Sequence, residues 1–205
     1  MRLQTIELYA VALAWVLFIV VFLARKRPPR ARETVRDPRS IEGLVLQVAG
    51  LAIVRLGMRP SGASFMHLGP LGSAAIAAVA LAVLAGSLAL IQTAMSTLGK
   101  QWSLAARLVE GHDLVTTGPY RLVRHPIYTG MFGMLLGTAL ALSQWPALLA
   151  ASGVFLSGTL LRVRAEEKLL LAAFGDAYRD YYLAVPALFP RWPRADKGIE
   201  RTGKG

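Results

Sequence analysis

The sequence predicts an all-α membrane protein: a polytopic transmembrane helix bundle of about five spans, followed by a C-terminal cytoplasmic amphipathic helix. Two observations support this prediction. The 205 residues are 55% hydrophobic and only 17% charged, with a mean hydropathy of +0.48, which is too apolar for an ordinary soluble domain. The apolar residues also form uninterrupted runs of the length that crosses a bilayer, roughly 17 to 25 residues.

Five apolar segments are the predicted spans. They are Ile6–Ala24, Ile41–Met58, Leu71–Leu98, Ile127–Leu142 and Pro146–Val163. The second segment carries Glu42 and Arg55 near its ends, where both charged groups can reach the membrane interfaces. The connection between the fourth and fifth segments is so short that it requires a tight antiparallel hairpin, with Trp145 at the outer interface.

The distribution of basic residues predicts the orientation of these spans. If the segments alternate in direction, 20 of the 23 Lys and Arg residues fall on one face, and such an excess marks the cytoplasmic side. We therefore expect the N-terminus outside and the C-terminus in the cytoplasm. The first segment is expected to remain as an anchor, because no small-residue cleavage pattern follows it. The net charge of +11 then reflects topology and contact with membrane lipids, and no nucleic acid partner is expected.

Small residues recur every four positions in two of the predicted spans, and such stripes let helix backbones approach closely. We expect both stripes to lie in helix–helix contacts without a chemical role. The third span has Ala74, Ala78, Ala82 and Gly86, and the fourth has Gly133, Gly137 and Ala141.

Polar residues concentrate in two cytoplasmic stretches, residues 99–128 and 162–192. In the first, Pro126 suits the first position of the fourth span. The helix N-terminus there, with Arg121, Arg124 and His125, is a candidate anion site. The alternative is that these cations only meet lipid phosphates.

Several kinds of site are excluded or disfavoured by composition and motif. The chain has no cysteine, which excludes disulfides, a cysteine nucleophile and thiolate-bound metals. Its three histidines, His67, His112 and His125, are too scattered for a metal site. The sequence contains no GxGxxG after a strand, Walker A, GxSxG or HExxH motif. Any nucleotide cofactor would therefore be held by something other than a Rossmann fold.

In the second stretch, Glu166 and Glu167 lie closest to the end of a span, where a carboxylate is costly and tends to be functional. The alternative is structural, since Arg162 precedes Glu166 by four positions and Arg164 precedes Glu167 by three, which gives each acid a candidate partner. Apolar residues continue one stripe of this helix at Leu170, Phe174, Ala177 and Tyr181. We expect the aromatic residues here to be interface anchors, namely Tyr178, Tyr181, Tyr182 and Trp192.

Two blocks of sequence carry a family resemblance. The run at 118–130 is GPYRLVRHPIYTG, and one helical hairpin later the run at 166–182 is EEKLLLAAFGDAYRDYY. Together they resemble the C-terminal half of the isoprenylcysteine carboxyl methyltransferase and phospholipid N-methyltransferase superfamily. The upstream runs LGKQWS and EGHDLVTTG are also similar, so that the resemblance covers about residues 98–190. It implies an integral membrane methyltransferase that uses S-adenosylmethionine in a cytoplasmic pocket.

The resemblance also implies which residues form the site. Glu166 and Glu167 match paired acids near the cofactor and the methyl acceptor. Apart from the resemblance, a carboxylate acceptor would be ionised at neutral pH, and Arg162 or Arg164 would then orient it. The cofactor pocket would comprise Tyr120, Arg124, His125, Pro126, Tyr128 and Gly130.

The same resemblance suggests the organisation of the chain and its substrate. The expected regions are a transmembrane part at 1–98 with a basic loop at 25–40, a methyltransferase-like catalytic region at 99–192 and a basic tail at 193–205. The acceptor is expected to be lipophilic or prenylated and to enter from the bilayer, with carboxyl methylation of an isoprenylcysteine-like group as the first choice.

Three alternatives remain open at this point. A phospholipid N-methyltransferase would need a base such as Glu166 or Glu167, because an amine acceptor arrives protonated. An NADPH-dependent sterol-type reductase is possible because membrane sterol reductases carry a segment similar to Arg124–Gly130. A non-catalytic protein that binds anionic lipid would explain the basic face but leaves the two acids without a role.

Overall fold

The structure is a computed structural model that describes residues 2–24, 39–60, 68–99 and 113–191. Within these ranges the chain forms six α-helices and no strands, which confirms the all-α prediction. The helices are α1 (Arg2–Ala24), α2 (Arg39–Leu56), α3 (Pro70–Leu98), α4 (Pro126–Leu142), α5 (Trp145–Phe174) and α6 (Asp176–Ala184), with a 3-10 turn at Gly118–Arg121 before α4. Most of the predicted basic loop, His67, His112, Trp192 and the basic tail lie outside the described residues.

The five predicted spans correspond to α1 through α5, and the chain is an integral membrane protein. Three helices are long and apolar enough to cross a bilayer: α3, α5 and the Leu3–Ala24 part of α1. α4 is apolar but has 17 residues, and α2 has 18 residues that include Glu42, Gln47 and Arg55. The count of five spans and their orientation therefore stay predictions.

The helices pair as α2 with α5 and α3 with α4, and α1 packs on α3 and α4. Only residues 143 and 144 join α4 to α5, so the predicted tight hairpin is confirmed. The end of α2 holds this turn: Ser143 donates a hydrogen bond to the Val54 carbonyl at 2.7 Å, and the Gln144 N–H donates to the Gly57 carbonyl at 2.9 Å. α4 and α5 are thus fixed relative to each other at the end of the bundle opposite the two acids.

Glycines set the contact between α2 and α5. A Cβ placed on Gly43 would lie 2.5 Å from the carbonyl oxygen of Gly158, so neither position has room for a side chain. The predicted stripe on α4 is also confirmed, because Gly133 and Gly137 contact side chains of α3.

The prediction that the small-residue stripe of α3 lies in a helix–helix contact is wrong for the described residues. Its members Ala74, Ala78, Ala82 and Gly86 are all exposed, and α3 instead buries Ala80, Leu84, Ser87 and Ile91. The lipid-facing and the protein-facing sides of a membrane helix are both apolar. The sequence alone therefore does not show which stripe of small residues is buried against another helix.

The predicted continuation of one helical stripe through Tyr181 is also wrong. α5 ends at Phe174 because Gly175 has a φ of +52°, a left-handed conformation that favours glycine. The chain then turns into α6 and returns across the start of α4. We call residues 185–189 the C-terminal strap. The N–H groups of Arg124 and His125 bond to its carbonyls at residues 186 and 187, with distances of 2.8 and 2.9 Å.

Candidate active site

His125 lies between the two acidic side chains. Its Nδ1 is 3.3 Å from Oε2 of Glu166, and its Nε2 is 3.2 Å from Oε1 of Glu167. His125 is buried as the residue that precedes α4, and both acids come from the part of α5 that extends beyond the predicted span. One imidazole therefore bridges two consecutive carboxylates.

The protonation of His125 follows from this position. Burial by itself lowers the pKa of His125, but the hydrogen bonds and negative charges of Glu166 and Glu167 outweigh it, and the pKa is raised above its ordinary value of 6.5. The raised pKa favours the protonated imidazole, which can donate from both ring nitrogens. Each of these nitrogens faces a carboxylate oxygen.

Arg124 joins Glu167 to the C-terminal end of the described chain. Its Nε and Nη2 donate to Oε1 of Glu167 at 2.9 and 2.6 Å. Its Nη1 donates to the carbonyl of Tyr182 at 2.8 Å and to that of Val185, and the guanidinium lies 4.1 Å from the centre of the Tyr182 ring. Carbonyls at the end of a helix carry partial negative charge, so the end of α6 and Glu167 hold the same cation.

Tyr128 and Arg162 support the other acid. The Tyr128 hydroxyl donates to Oε1 of Glu166 at 2.6 Å and accepts from Nε of Arg162 at 3.0 Å. Arg162 is 4% exposed, and its Nη1 donates to the Ser40 carbonyl of α2 at 3.2 Å. These bonds connect three helices at one carboxylate.

Most of the predicted site residues therefore meet in one cluster, which we call the His125 cluster. Its members are Arg124, His125, Tyr128, Arg162, Glu166 and Glu167.

The other predicted site residues lie outside the His125 cluster. Tyr120 is buried in the 3-10 turn, where its carbonyl accepts a hydrogen bond from the Tyr181 hydroxyl at 2.7 Å. Pro126 is the buried first residue of α4. Gly130 packs against α3, because a Cβ there would lie 2.5 Å from Cγ1 of Ile91. Arg164 is exposed.

Two predictions about charge pairing are corrected by this geometry. Glu167 pairs with Arg124, 43 positions earlier, and not with Arg164. The expected anion site at the start of α4 is occupied by the protein itself, since Arg124 and His125 meet the carboxylates of α5, while Arg121 is exposed. Helical spacing identifies only partners three or four positions away on the same helix. It therefore could not identify Arg124, which lies just before α4, as the partner of Glu167 on α5.

Sequence reasoning missed Tyr178, which it assigned to the membrane interface. Its side chain is 1% exposed, and burial, followed by the charge of Glu167, raises the pKa of its hydroxyl. The hydroxyl has no partner in good hydrogen-bond geometry within the described ranges, although it lies beside the Arg124 guanidinium. The glycine before α6 was the available indication, because a helix that turns back at Gly175 can bury one face.

Comparison with known proteins places this site in a family. The profile described as phospholipid methyltransferase matches residues 75–177, which hold the whole His125 cluster. The protein-S-isoprenylcysteine O-methyltransferase of Schizosaccharomyces pombe is 37% identical over 103 residues, or 49% of this chain and 44% of that protein. The methanethiol S-methyltransferase of Mycobacterium tuberculosis is 41% identical over 78 residues, or 36% and 29%.

A solved structure supports the same fold. The eukaryotic intramembrane Ras methyltransferase, isoprenylcysteine carboxyl methyltransferase, superposes with a TM-score of 0.51 at 23% identity, over 77% of this chain and 54% of that one. The match covers 44% of the Schizosaccharomyces pombe protein and 51% of the protein-S-isoprenylcysteine O-methyltransferase B of Arabidopsis thaliana, and less of the other isoprenylcysteine and methanethiol relatives. Since the family profile covers just over half of its 205 residues, the chain belongs to the phospholipid methyltransferase family, in the superfamily that includes the isoprenylcysteine carboxyl methyltransferases.

Proposed function

We propose that the chain is a membrane methyltransferase that uses S-adenosylmethionine to methylate a lipophilic acceptor, with the carboxylate of an isoprenylcysteine-like group as its substrate. The observation that supports this most directly is the His125 cluster, which brings paired acids and two cations together inside the family-matched region. Relatives named for methyl transfer to isoprenylcysteine and to methanethiol support the reaction class.

The chemistry of the cluster fits the methyl donor. S-adenosylmethionine carries a sulfonium cation, an amino-acid group and ribose hydroxyls, and its bound form supplies an activated methyl group. Glu167 offers a carboxylate to the cationic and hydroxyl groups, while Arg124 and His125 keep that carboxylate ionised and in place. We assign Tyr120, Pro126, Tyr128 and Gly130 to the walls and supports of this pocket.

The protein groups then have two tasks in methyl transfer. The acceptor and the methyl group must be aligned, and water must be excluded, which buried side chains on fixed helices achieve. A carboxylate acceptor is already ionised at neutral pH, because its ordinary pKa is about 4, and needs no general base. Arg162 is held by Tyr128 and Ser40, so we assign the contact with the acceptor carboxylate to the exposed Arg164.

The orientation of the site follows from the charge distribution. The cytoplasmic face that the basic residues predict is also where the N-terminal end of α4, the extension of α5 and α6 converge. We propose that the cofactor approaches from the cytoplasm, and that the acceptor approaches from the bilayer alongside the apolar helices.

Calorimetric titration of the detergent-purified chain tests this function without knowledge of the acceptor. Saturable binding of S-adenosylhomocysteine without binding of NADPH is expected. A prenylcysteine analogue should then accept a labelled methyl group, whereas transfer only to a lipid amine would move the proposal to N-methylation. Binding of NADPH alone would replace it with the reductase alternative, and binding of neither nucleotide by folded protein would reject a catalytic role.

A further inference from the structure

α2 lies outside the part of the chain that the family profile matches. The profile covers residues 75–177, which begin within α3, whereas α2 is Arg39–Leu56. α2 nevertheless packs along α5, the helix that carries Arg162, Glu166 and Glu167. The contacts between these two helices therefore decide whether the matched residues form the site by themselves.

Arg162 crosses from α5 to α2 at the point where Gly43 has no side chain. A Cβ on Gly43 would lie 2.5 Å from Cγ of Arg162 and 2.5 Å from the carbonyl oxygen of Gly158, which is closer than atoms approach in van der Waals contact. The stem of Arg162 thus lies in the space that a side chain on Gly43 would fill. A larger residue there must displace this stem or push α2 away from α5.

The guanidinium of Arg162 is held at two points. Its Nη1 donates to the Ser40 carbonyl of α2 at 3.2 Å, and its Nε donates to the hydroxyl oxygen of Tyr128 at 3.0 Å. Because the Tyr128 oxygen accepts from Arg162, the single hydroxyl proton is directed to Oε1 of Glu166, 2.6 Å away. The contact with α2 therefore influences how Tyr128 presents its hydroxyl in the His125 cluster.

A polar contact fixes α2 along the axis of α5. Nε2 of Gln47 donates to Oγ1 of Thr159 at 3.0 Å, and both side chains are buried. Gln47 follows Gly43, and Thr159 precedes Arg162, by about one helical turn. Sliding of one helix along the other would break this buried hydrogen bond, which is costly between membrane helices. Ser40 and Gly43 are thereby kept in register with Arg162.

We propose that α2 is part of the site, and that Gly43 is a positioning residue that acts on Tyr128 through Arg162. This inference rests on the proposed function, because Tyr128 belongs to the pocket assigned there. It implies that the region matched by the family profile does not form a complete pocket without α2. The N-terminal half of the chain then has a task beyond anchoring in the membrane.

Binding of S-adenosylhomocysteine to the purified full chain tests the role of Gly43. Gly43→Ala should weaken binding by about fivefold or more, because the hydrogen bond to the Ser40 carbonyl is lost and Tyr128 loses its fixed donor. The matched control is Gly50→Ala, further along the same buried face of α2. A Cβ on Gly50 would lie 3.0 Å from Cβ of Phe155. This variant therefore crowds the same pair of helices away from the site, and it should change binding by less than about twofold.

A double-mutant cycle separates positioning from a general loss of packing. Arg162→Lys keeps the positive charge but not the planar fork that reaches both Ser40 and Tyr128, so it should weaken binding about as much as Gly43→Ala does. In the Arg162→Lys background, Gly43→Ala should add no more than about twofold, since its route to the site is already broken. A double variant in which the two single effects multiply would overturn the route through Arg162.

The ring signal of Tyr128 gives a readout that needs no ligand. In NMR spectra of the chain with isotope-labelled tyrosine, Tyr128→Phe identifies this signal by its loss. The signal should shift in Gly43→Ala and in Arg162→Lys, and it should stay in place in Gly50→Ala. If Gly43→Ala does not fold, Arg162→Lys is used for both measurements, and an unchanged signal or an unchanged affinity would overturn the proposal.

Failure of this inference differs from failure of the proposed function. If Gly43→Ala and Gly50→Ala affect binding equally, or if the Tyr128 signal does not move in Gly43→Ala, the role of α2 is overturned while the methyltransferase function stands. If the unchanged chain does not bind S-adenosylhomocysteine at all, the proposed function fails and the inference fails with it.

Discussion

Arg124 and Glu167 lie 43 positions apart in the chain, and two guanidinium nitrogens of Arg124 converge on one carboxylate oxygen of Glu167 at 2.9 and 2.6 Å. The same guanidinium holds the carbonyls of Tyr182 and Val185. This contact joins the start of α4, the extension of α5 and the end of α6. The stability of the C-terminal part and the geometry of the site therefore depend on one side chain.

Replacement of that side chain should destabilise the protein. Arg124→Gln leaves the Glu167 carboxylate and the two carbonyls without their cation, and breaking such a buried pair costs about 3 kcal/mol or more. The melting temperature in detergent should fall clearly, whereas Arg121→Gln, at an exposed position three residues earlier, should leave it nearly unchanged. Equal melting temperatures for both variants would contradict the role of Arg124 in holding α6.

The charge on His125 predicts how stability depends on pH. Because the folded pKa of His125 is raised above 6.5, its stabilising contribution is fully present below that value and is lost as the pH rises through the folded pKa. The melting temperature of the unchanged chain should decline as the pH rises through the folded pKa of His125. His125→Gln should flatten the decline, and an identical pH dependence in both proteins would show that another group is responsible.

Gly153 and Gly158 both lie on α5 but differ in the space around them, so they can be compared directly by substitution. A Cβ on Gly158 would lie 2.5 Å from the carbonyl oxygen of Gly43, while a Cβ on Gly153 would meet no atom within 4 Å. Gly158→Ala should cost about 1 to 3 kcal/mol, because the backbones of α2 and α5 must separate. Gly153→Ala should be neutral or stabilising, since alanine favours a helix. Thermal unfolding of both variants measures the difference.

The two buried tyrosine hydroxyls in and beside the site should respond differently to removal. The hydroxyl of Tyr178 has no partner in good hydrogen-bond geometry in the described chain, although it lies beside the Arg124 guanidinium, so Tyr178→Phe should lower the melting temperature by less than Tyr128→Phe does. The hydroxyl of Tyr128 bonds to Glu166 and Arg162, and Tyr128→Phe should cost about 1 to 3 kcal/mol. A loss of stability in Tyr178→Phe as large as that in Tyr128→Phe would indicate that its hydroxyl does bind a neighbour.

The absence of cysteine allows a direct test of topology. In intact cells, a membrane-impermeant maleimide should label Trp145→Cys, at the exposed hairpin expected outside. Leu122→Cys, exposed beside the His125 cluster, should be labelled only after the membrane is opened. The reverse pattern would invert the predicted orientation, and labelling of both in intact cells would reject the five-span arrangement.

The sequence by itself determined the all-α fold, the positions of α1 through α5, the hairpin between α4 and α5, and all six residues of the His125 cluster. Apolar runs of bilayer length and the two family blocks are properties of consecutive residues, so they are visible without a structure.

Only the tertiary structure decided which of two stripes on α3 is buried, where α5 ends, and which partner each acid has. Glu167 pairs with Arg124 instead of Arg164, and Tyr178 turns inward after Gly175. The physical reason is that these outcomes depend on contacts between helices distant in the chain. Periodicity describes the faces of one helix, and in a membrane it does not tell a lipid-facing side from a buried one.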